Sequence, residues 1–360
     1  MNLDPTAEQR ELASAARRFL ATEFPVTALA ARAGDAGSAD NVRDGGGTWQ
    51  KMARLGWFAI GVPTVHGGAG GSLADQALLF RELGRALAPG PLLGTTLGVS
   101  IAVLAGRDDL AGSMIGGETT AGLAEPWRDP SATISASSGV NGRFRVIEAD
   151  SAQFVTILTP QGVGLAGAGA VRAAALELPA PDPSVPVSLA ELYANAAEVV
   201  LSTEPAASIA PRGQVLSAAL LVGILEAVRD LSVAYVSARE QFGKPIGSFQ
   251  AVKHRCADMA VRAEAAGSLL WLAALSLEKA ELGAGATGDR DTDISAARRL
   301  AASVKALASE YAVASAHDNV QNHGGMGFTA ECSAHWYVKR ALEWSATLGS
   351  PEILFAEVAT

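Results

Sequence analysis

From about residue 204 onward the chain carries helical periodicity in runs so long that a helix bundle is the natural way to bury them. Gln214 to Arg239 is apolar nearly all round in its first half, as a helix enclosed on every side must be. Phe249 to Leu282 would extend roughly 50 Å at the helical rise per residue. Ile294 to Gln321 repeats the pattern through Ala297, Ala301, Val304, Ala308 and Tyr311, and Gly324-Gly325 ends it. A shorter helix from Ser333 completes a predicted four-helix bundle.

The preceding sequence has two other textures. Up to about residue 118, short helices alternate with Gly/Pro breaks. Thr6 to Phe24 places Leu12, Ala16, Phe19 and Leu20 at helical spacing before Pro25. Thr48 to Leu55 is a second helix stopped by Gly56, and Val62 to Gly71 is a glycine-rich loop. Ser72 to Leu87 is helical again and ends at Pro89-Gly90-Pro91. Between about 119 and 203 the period changes to two. Arg143 to Ile147 and Gln153 to Leu158 read as strands, and Pro181, Pro183 and Pro186 disfavour a central strand. The expected class is α+β, in three stretches: helical over 1–118, a small β domain over 119–203, and the bundle over 204–360.

Composition excludes several functions. With 49% hydrophobic and 18% charged residues, a large core is expected. No uninterrupted apolar run reaches the roughly 18 residues that span a bilayer. Leu216 to Leu225 comes nearest, and Glu226, Arg229 and Asp230 break it. The N-terminal residues lack the basic and apolar regions of an export signal. Cys256 and Cys332 form neither a disulfide framework nor a metal-ligand pattern. A net charge of −9 argues against nucleic acid. A soluble, cytoplasmic protein without a metal site, a membrane or a nucleic-acid partner is expected.

Two segments carry chemistry. Arg239-Glu240-Gln241-Phe242-Gly243-Lys244-Pro245-Ile246-Gly247-Ser248-Phe249-Gln250 is a helix end, a Gly/Pro turn and a helix start. Its guanidinium can fork onto a pyrophosphate, and Phe242 and Phe249 offer flat apolar surface to a ring system. In Gln321-Asn322-His323-Gly324-Gly325-Met326-Gly327-Phe328, glycines without Cβ let backbone N–H groups approach an anion. Gln321 can bond an adenosine or phosphate edge. Read singly, the first segment is a helix connection and the second a C-cap. Their joint occurrence, in this order on these helices, is far more specific.

Together the two segments closely resemble the C-terminal domain of acyl-CoA dehydrogenases. Leu55-Gly56-Trp57, Pro63, Gly67-Gly68 and Glu82-Leu83-Gly84-Arg85 resemble the N-terminal domain of that family. Glu331 through His335-Trp336-Tyr337-Val338-Lys339-Arg340-Ala341 fits its C-terminal run. The resemblance implies the same helical, β, helical fold. It also implies FAD, with its adenosine-diphosphate half held by one subunit and its flavin mainly in the neighbour. Carried over, the contacts are Arg239, Gln241, Phe242, Ile246 and Phe249 from the first segment, and Gln321, Gly324 and Gly325 from the second. The implied reaction is α,β-desaturation of an acyl-CoA thioester. A carboxylate removes the α-proton while the flavin accepts the β-hydride.

The chain departs from that pattern where chemistry is done. One family seat of the base corresponds to Leu348 in Thr347-Leu348-Gly349-Ser350. The other falls in Pro211-Arg212-Gly213-Gln214, which has no carboxylate either. The hydroxyl expected before Glu125-Pro126 is replaced by Ala124, the aromatic expected over the flavin by Arg145, and a usual threonine by Ile147. Glu343 and Glu352 read as surface charges, and His323 as a structural histidine or a neighbour of the phosphates. Trp271, Trp336 and Trp344 read as packing. The catalytic residue therefore stays unassigned.

The leading expectation is a base-lacking partner in a heteromeric, α2β2-type enzyme acting on bulky acyl-CoA such as steroid side-chain esters. The other members of that system would be a homologous catalytic subunit and an electron-transfer flavoprotein as acceptor. Two alternatives stay open: a homo-oligomeric enzyme with a relocated base, Glu343 or Glu352, and a non-catalytic binding or scaffold subunit.

Overall fold

The computed structural model describes residues 4–29, 47–135, 139–173, 175–194, 199–201, 209–281 and 290–359. Contacts group the chain into two units. One comprises residues 1–30, 77–88 and 214–360, the other residues 31–76 and 89–213. The expected boundary at 203/204 lies outside the described residues. The order helices, sheet, helices is the α+β order read from the sequence.

In the N-terminal region, α1 (Ala7–Glu23) begins at Thr6, whose hydroxyl accepts from Gln9 N while the Gln9 side chain accepts from Thr6 N. That reciprocal box satisfies two N–H groups the first turn cannot bond itself. The next helices are α2 (Thr48–Arg54), α3 (Leu73–Arg85), α4 (Leu92–Leu104) and α5 (Asp108–Ile115). Gly56, with φ of 77°, ends the α2 segment in the left-handed conformation. Helix α4 was not separately legible in the sequence. It is buried over most of its length and apolar all round, so it shows no amphipathic period.

The second unit centres on a sheet. Its strands are β1 (Ala121–Pro126), β2 (Thr133–Ser135), β3 (Gly139–Ile147), β4 (Phe154–Thr159), β5 (Gly162–Gly167), β6 (Ala175–Glu177), β7 (Val187–Ala194) and β8 (Val199–Leu201). Helix α6 (Ala168–Ala173) follows β5. The sheet order is β6-β7-β3-β1-β4-β5-β8, with β2 on β3. Among the described residues only the β1–β4 pairing is parallel. One face packs Ala124, Phe144, Val146, Val155 and Ile157 into a core. Helix α4 is fastened to β1 and β4. Thr156 Oγ1 donates to Gly94 O at 2.7 Å, and Ala121 N donates to Thr95 Oγ1 at 3.0 Å. The triple-proline stretch stays outside the strands, with β7 starting at Val187.

The first unit is the bundle: α7 (Ile209–Ala238), α8 (Gln250–Glu281), α9 (Arg290–His323) and α10 (Ala334–Ala346), followed by α11 (Pro351–Val358). A two-residue hairpin, β9 (Glu240–Gln241) with β10 (Lys244–Pro245), joins α7 to α8. Helix α8 buries Met259, Ala263, Ala266, Leu270, Ala273 and Leu277, a stripe at three- and four-residue spacing. By length and mean hydropathy α8 is long and apolar enough to cross a membrane, because averaging tolerates two charges that interrupt a strict apolar run. A core helix of a bundle meets the same criterion, and the stripe is that of a bundle helix.

Helices α3 and α7 cross with almost no gap. A Cβ at Gly84 would lie 2.0 Å from Leu220 O, and one at Gly223 1.9 Å from Arg81 O. Around the crossing, Glu82 is surrounded by guanidinium groups. Arg17 grips it with two bonds of 2.8 Å, and Arg81 and Arg85 each lie 3.6 Å away. Arg85 also bonds Glu226 on α7 and reaches Asp230 at 2.7 Å. Tyr337 Oη donates to Arg85 O at 3.1 Å, and burial pushes this phenol up to about 12.

Gly223→Ala is expected to force the two backbones apart and destabilise the protein by about 1–3 kcal/mol, the range for overpacking. Gly112→Ala, where an added Cβ meets nothing within 4 Å, should be neutral or slightly stabilising. Denaturant midpoints of the two variants check this, and equal midpoints would show the crossing is looser than drawn.

Candidate functional site

The Arg239 turn and the Gln321 turn cap neighbouring helix ends in the first unit. Helix α7 closes with Arg239 N donating to Tyr235 O at 2.8 Å, and Ile246 N returns to Arg239 O at 2.8 Å. The hairpin turn is Phe242-Gly243, with φ of 55° and 75°. Two consecutive positive φ values define the turn whose twist matches the flanking strands. Gly243 adopts this freely. Phe242 is strained there, and 92% of it is exposed. Its ring meets Phe249 edge-on at 6.1 Å, and Lys244 Nζ sits 4.5 Å from the Phe249 ring centre. Arg239 and Gln241 are exposed; Ile246 and Phe249 are half-buried.

On the other side α9 ends at His323, and Gly324, with φ of 58°, begins the glycine turn. Gln321, Gly324 and Gly325 are exposed, and a Cβ at either glycine would meet nothing within 4 Å. An approaching anion therefore finds bare backbone. Gly327 serves the fold instead, since a Cβ there would strike Val320 O at 2.4 Å.

The two turns are tied through residues the motifs alone did not mark. Tyr235 and His323 stack with ring centres 4.2 Å apart, and Tyr235 Oη lies 3.4 Å from His323 O. His323 Nδ1 lies 2.8 Å from Asn319 O, and because a carbonyl only accepts, Nδ1 carries the proton. Ser232 Oγ donates to Asn319 Oδ1 at 2.8 Å in a buried bond. Helix α8 holds the same segment. Arg255 donates to Asn322 Oδ1 at 3.1 Å, and Arg262 pairs with Asp318 at 2.7 Å. Burial pushes the nearby Cys256 thiol up. His323 is thus a satisfied histidine adjoining the glycine turn. The available signal was spacing, with Ser232 and Tyr235 one face back from Arg239, and Asn319 one turn back from His323.

An exposed guanidinium, an exposed amide, bare glycine backbone and a projecting aromatic suit the diphosphate and ring of an adenosine-diphosphate group. The donor set thus fits that half of FAD. The sheet residues aligned with the flavin do not fit its other half. Ala124 is fully buried in the sheet core and Ile147 is buried. Arg145 is 4% exposed and pairs at 2.8 Å with Glu125, its cross-strand neighbour. Ala124 points into the sheet core with Val146, whereas Arg145 and Ile147 lie on the opposite face, so the three aligned positions do not share one wall, and on its own face Arg145 is closed by Glu125.

The base loop is equally closed. Leu348 is buried with φ of 59°, a conformation costly for a bulky side chain. The fully buried Lys305 pins the loop, donating to Ser309 Oγ at 2.9 Å, Ser345 O at 3.1 Å and Gly349 O at 3.3 Å. Thr347 Oγ1 donates to Glu343 O at 3.0 Å. Glu343, expected at the surface, is only 2% exposed. It lies on the inward face of α10 with Trp336, Tyr337 and Arg340, so its charge disguised a core position. Glu352 is exposed as expected, and a bond from Ser350 holds its carboxyl below the usual range. The second seat, Pro211 to Gln214, lies in the first turn of α7, where Arg212 reaches Gln76 Oε1 at 3.4 Å. Trp336 and Trp344 are core residues. No metal-binding cluster occurs among the described residues.

A helical N-terminal region, a mixed sheet and a helical bundle, in that order, are the architecture of a class of flavin-dependent oxidoreductases. The match to known families agrees. Residues 6–111 match the acyl-CoA dehydrogenase N-terminal domain, and residues 206–360 match the acyl-CoA dehydrogenase C-terminal domain. The acyl-CoA dehydrogenase IpdE2 of Mycobacterium tuberculosis is 31% identical over 91% of this chain and 88% of its own length. The acyl-CoA dehydrogenase FadE34 of the same organism is 36% identical over 81% of this chain, which spans 38% of that longer protein. Two solved structures share the fold at 22% identity. The Tcur3481-Tcur3483 steroid ACAD variant has a TM-score of 0.78, covering 98% of this chain and 96% of that one. The ChsE4-ChsE5 complex of Mycobacterium tuberculosis has a TM-score of 0.77, covering 100% and 98%. The chain belongs to the acyl-CoA dehydrogenase family, whose members are FAD-dependent enzymes.

The buried pair offers a direct test. Glu125→Ala leaves Arg145 without this carboxylate and should cost about 3 kcal/mol, the lower end for breaking a buried pair. Glu125→Leu combined with Arg145→Met should recover most of that loss. Denaturant titrations decide, and a neutral Glu125→Ala would mean the pair does not close this face.

Proposed function

We propose that this chain is the base-lacking subunit of a heteromeric acyl-CoA dehydrogenase, contributing the adenosine-diphosphate clamp for an FAD whose ring lies in a homologous catalytic subunit. The observation that carries this reading is an asymmetry within one chain. The clamp of Arg239, Gln241, Phe242, Gln321, Gly324 and Gly325 stands open to solvent, with Ile246 and Phe249 behind its hairpin turn. The flavin-side residues and the base loop are closed, with leucine at one base seat and no carboxylate at the other.

In this reading FAD supplies the hydride acceptor when bound. Arg239 and the glycine-turn N–H groups neutralise and orient its diphosphate, and Phe242 with Phe249 offers apolar surface to its ring systems. The α-proton is removed by a carboxylate of the partner. Bulky acyl-CoA, such as steroid side-chain esters, is the proposed substrate class. The Tcur3481-Tcur3483 steroid ACAD supports it by its name, and the paired names of that protein and of ChsE4-ChsE5 support a heteromer. An electron-transfer flavoprotein is the proposed acceptor and the cytoplasm the proposed location.

The deciding experiment is FAD stoichiometry with native mass, for the chain alone and co-expressed with a homologous subunit carrying a base glutamate. About one FAD per heterodimer, and none on the chain alone, is expected. Within the complex, Arg239→Ala should weaken FAD binding about 10- to 100-fold, the worth of a charge-assisted bond. A chain that holds one FAD per subunit and turns over by itself overturns the reading. Buried Glu343, one turn before Leu348, favours the second reading of a homo-oligomer with a relocated base. In that case Glu343→Gln abolishes turnover while FAD stays bound.

A further inference from the structure

We infer that Tyr235 and His323, backed by Ser232 and Asn319, are positioning residues that hold the two turns of the clamp as one preformed surface. This inference rests on the clamp reading above and adds to it the device that sets the clamp's geometry. Each turn on its own is an exposed loop at a helix end. Recognition of one diphosphate by both requires a fixed spacing, and holding that spacing before binding removes an ordering cost from the affinity.

The geometry supplies the fixture. Tyr235 lies one turn before Arg239, and His323 directly precedes Gly324. Their stacked rings, 4.2 Å apart and inclined by 28°, bridge the last turns of α7 and α9. One step further in, Ser232 and Asn319 form the second rung at 2.8 Å, with both residues fully buried. Asn319 serves both rungs, since its side-chain oxygen accepts from Ser232 and its backbone carbonyl accepts from His323 Nδ1 at 2.8 Å. The imidazole therefore cannot turn without breaking a bond, and the tyrosine ring lies against a fixed plane. A stack between two helices that merely packed could sit anywhere along them. This one occupies the turn immediately before both recognition segments.

The test uses the chain in complex with its catalytic partner and measures the FAD dissociation constant by flavin fluorescence. Tyr235→Leu should raise it about 3- to 10-fold, the worth of an aromatic pair. Tyr235→Phe keeps the ring and should stay within about twofold, and a role in bulk packing alone would lower the denaturant midpoint of Tyr235→Leu without changing the FAD dissociation constant of the assembled complex. His323→Leu removes the other ring together with the Nδ1 bond to Asn319 O, and should weaken FAD at least as much as Tyr235→Leu. It also keeps the test open if Tyr235→Leu fails to assemble. The double variant should be no weaker than His323→Leu alone, because both lack the same stack. Additive losses, or a Tyr235→Leu complex with wild-type affinity while Arg239→Ala weakens FAD, overturn the fixture and leave the clamp standing. Wild-type affinity in Arg239→Ala overturns the clamp reading itself, and the inference falls with it.

Discussion

The near-contact of two backbones at the α3–α7 crossing is the constraint on which the bundle depends. Glycine at 84 and at 223 lets each helix seat against a carbonyl of the other, at distances no Cβ tolerates. That proximity brings Glu82 on α3, together with Glu226 and Asp230 on α7, within reach of the arginines of α1 and α3. Glu82 at the centre is fully buried and far less screened than a surface charge, while Arg17 and Asp230 at the rim are half exposed. With α7 placed in this way, its C-terminal turn lies where α9 also ends, and the Ser232 and Tyr235 rungs can form.

The functional reading follows from contrast within the molecule rather than from any single residue. Polar and aromatic groups that could bond a diphosphate are left in water at the bundle end, a costless state for charges and a poor one for Phe242 and Phe328 unless something covers them. On the sheet, a guanidinium and a carboxylate are withdrawn from water and satisfied by each other. Lys305 likewise spends its charge on loop carbonyls. The contrast between charges covered on the sheet and polar groups exposed at the bundle end is what the proposed role rests on.

Much of this was legible in the sequence because it is local. Helix and strand periods, glycine stops and the two motif segments depend on neighbours a few residues away, and the element order follows from them. Helix α4 is not legible locally because a helix buried on every side has no polar face to betray its period. Glu343 departs from the sequence expectation for the opposite reason. Its charge suggested solvent, while its place on α10 beside Trp336 and Arg340 carries it inward.

The sequence by itself determined the family and the fold class, since these reside in residue types at short spacing. Tertiary structure alone decided which seats are open. Arg145 meets Glu125 only through strand register, Lys305 reaches Gly349 only through helix packing, and Tyr235 finds His323 across 88 residues of chain. Contacts at such separations depend on how whole elements are placed, and no local period encodes that placement.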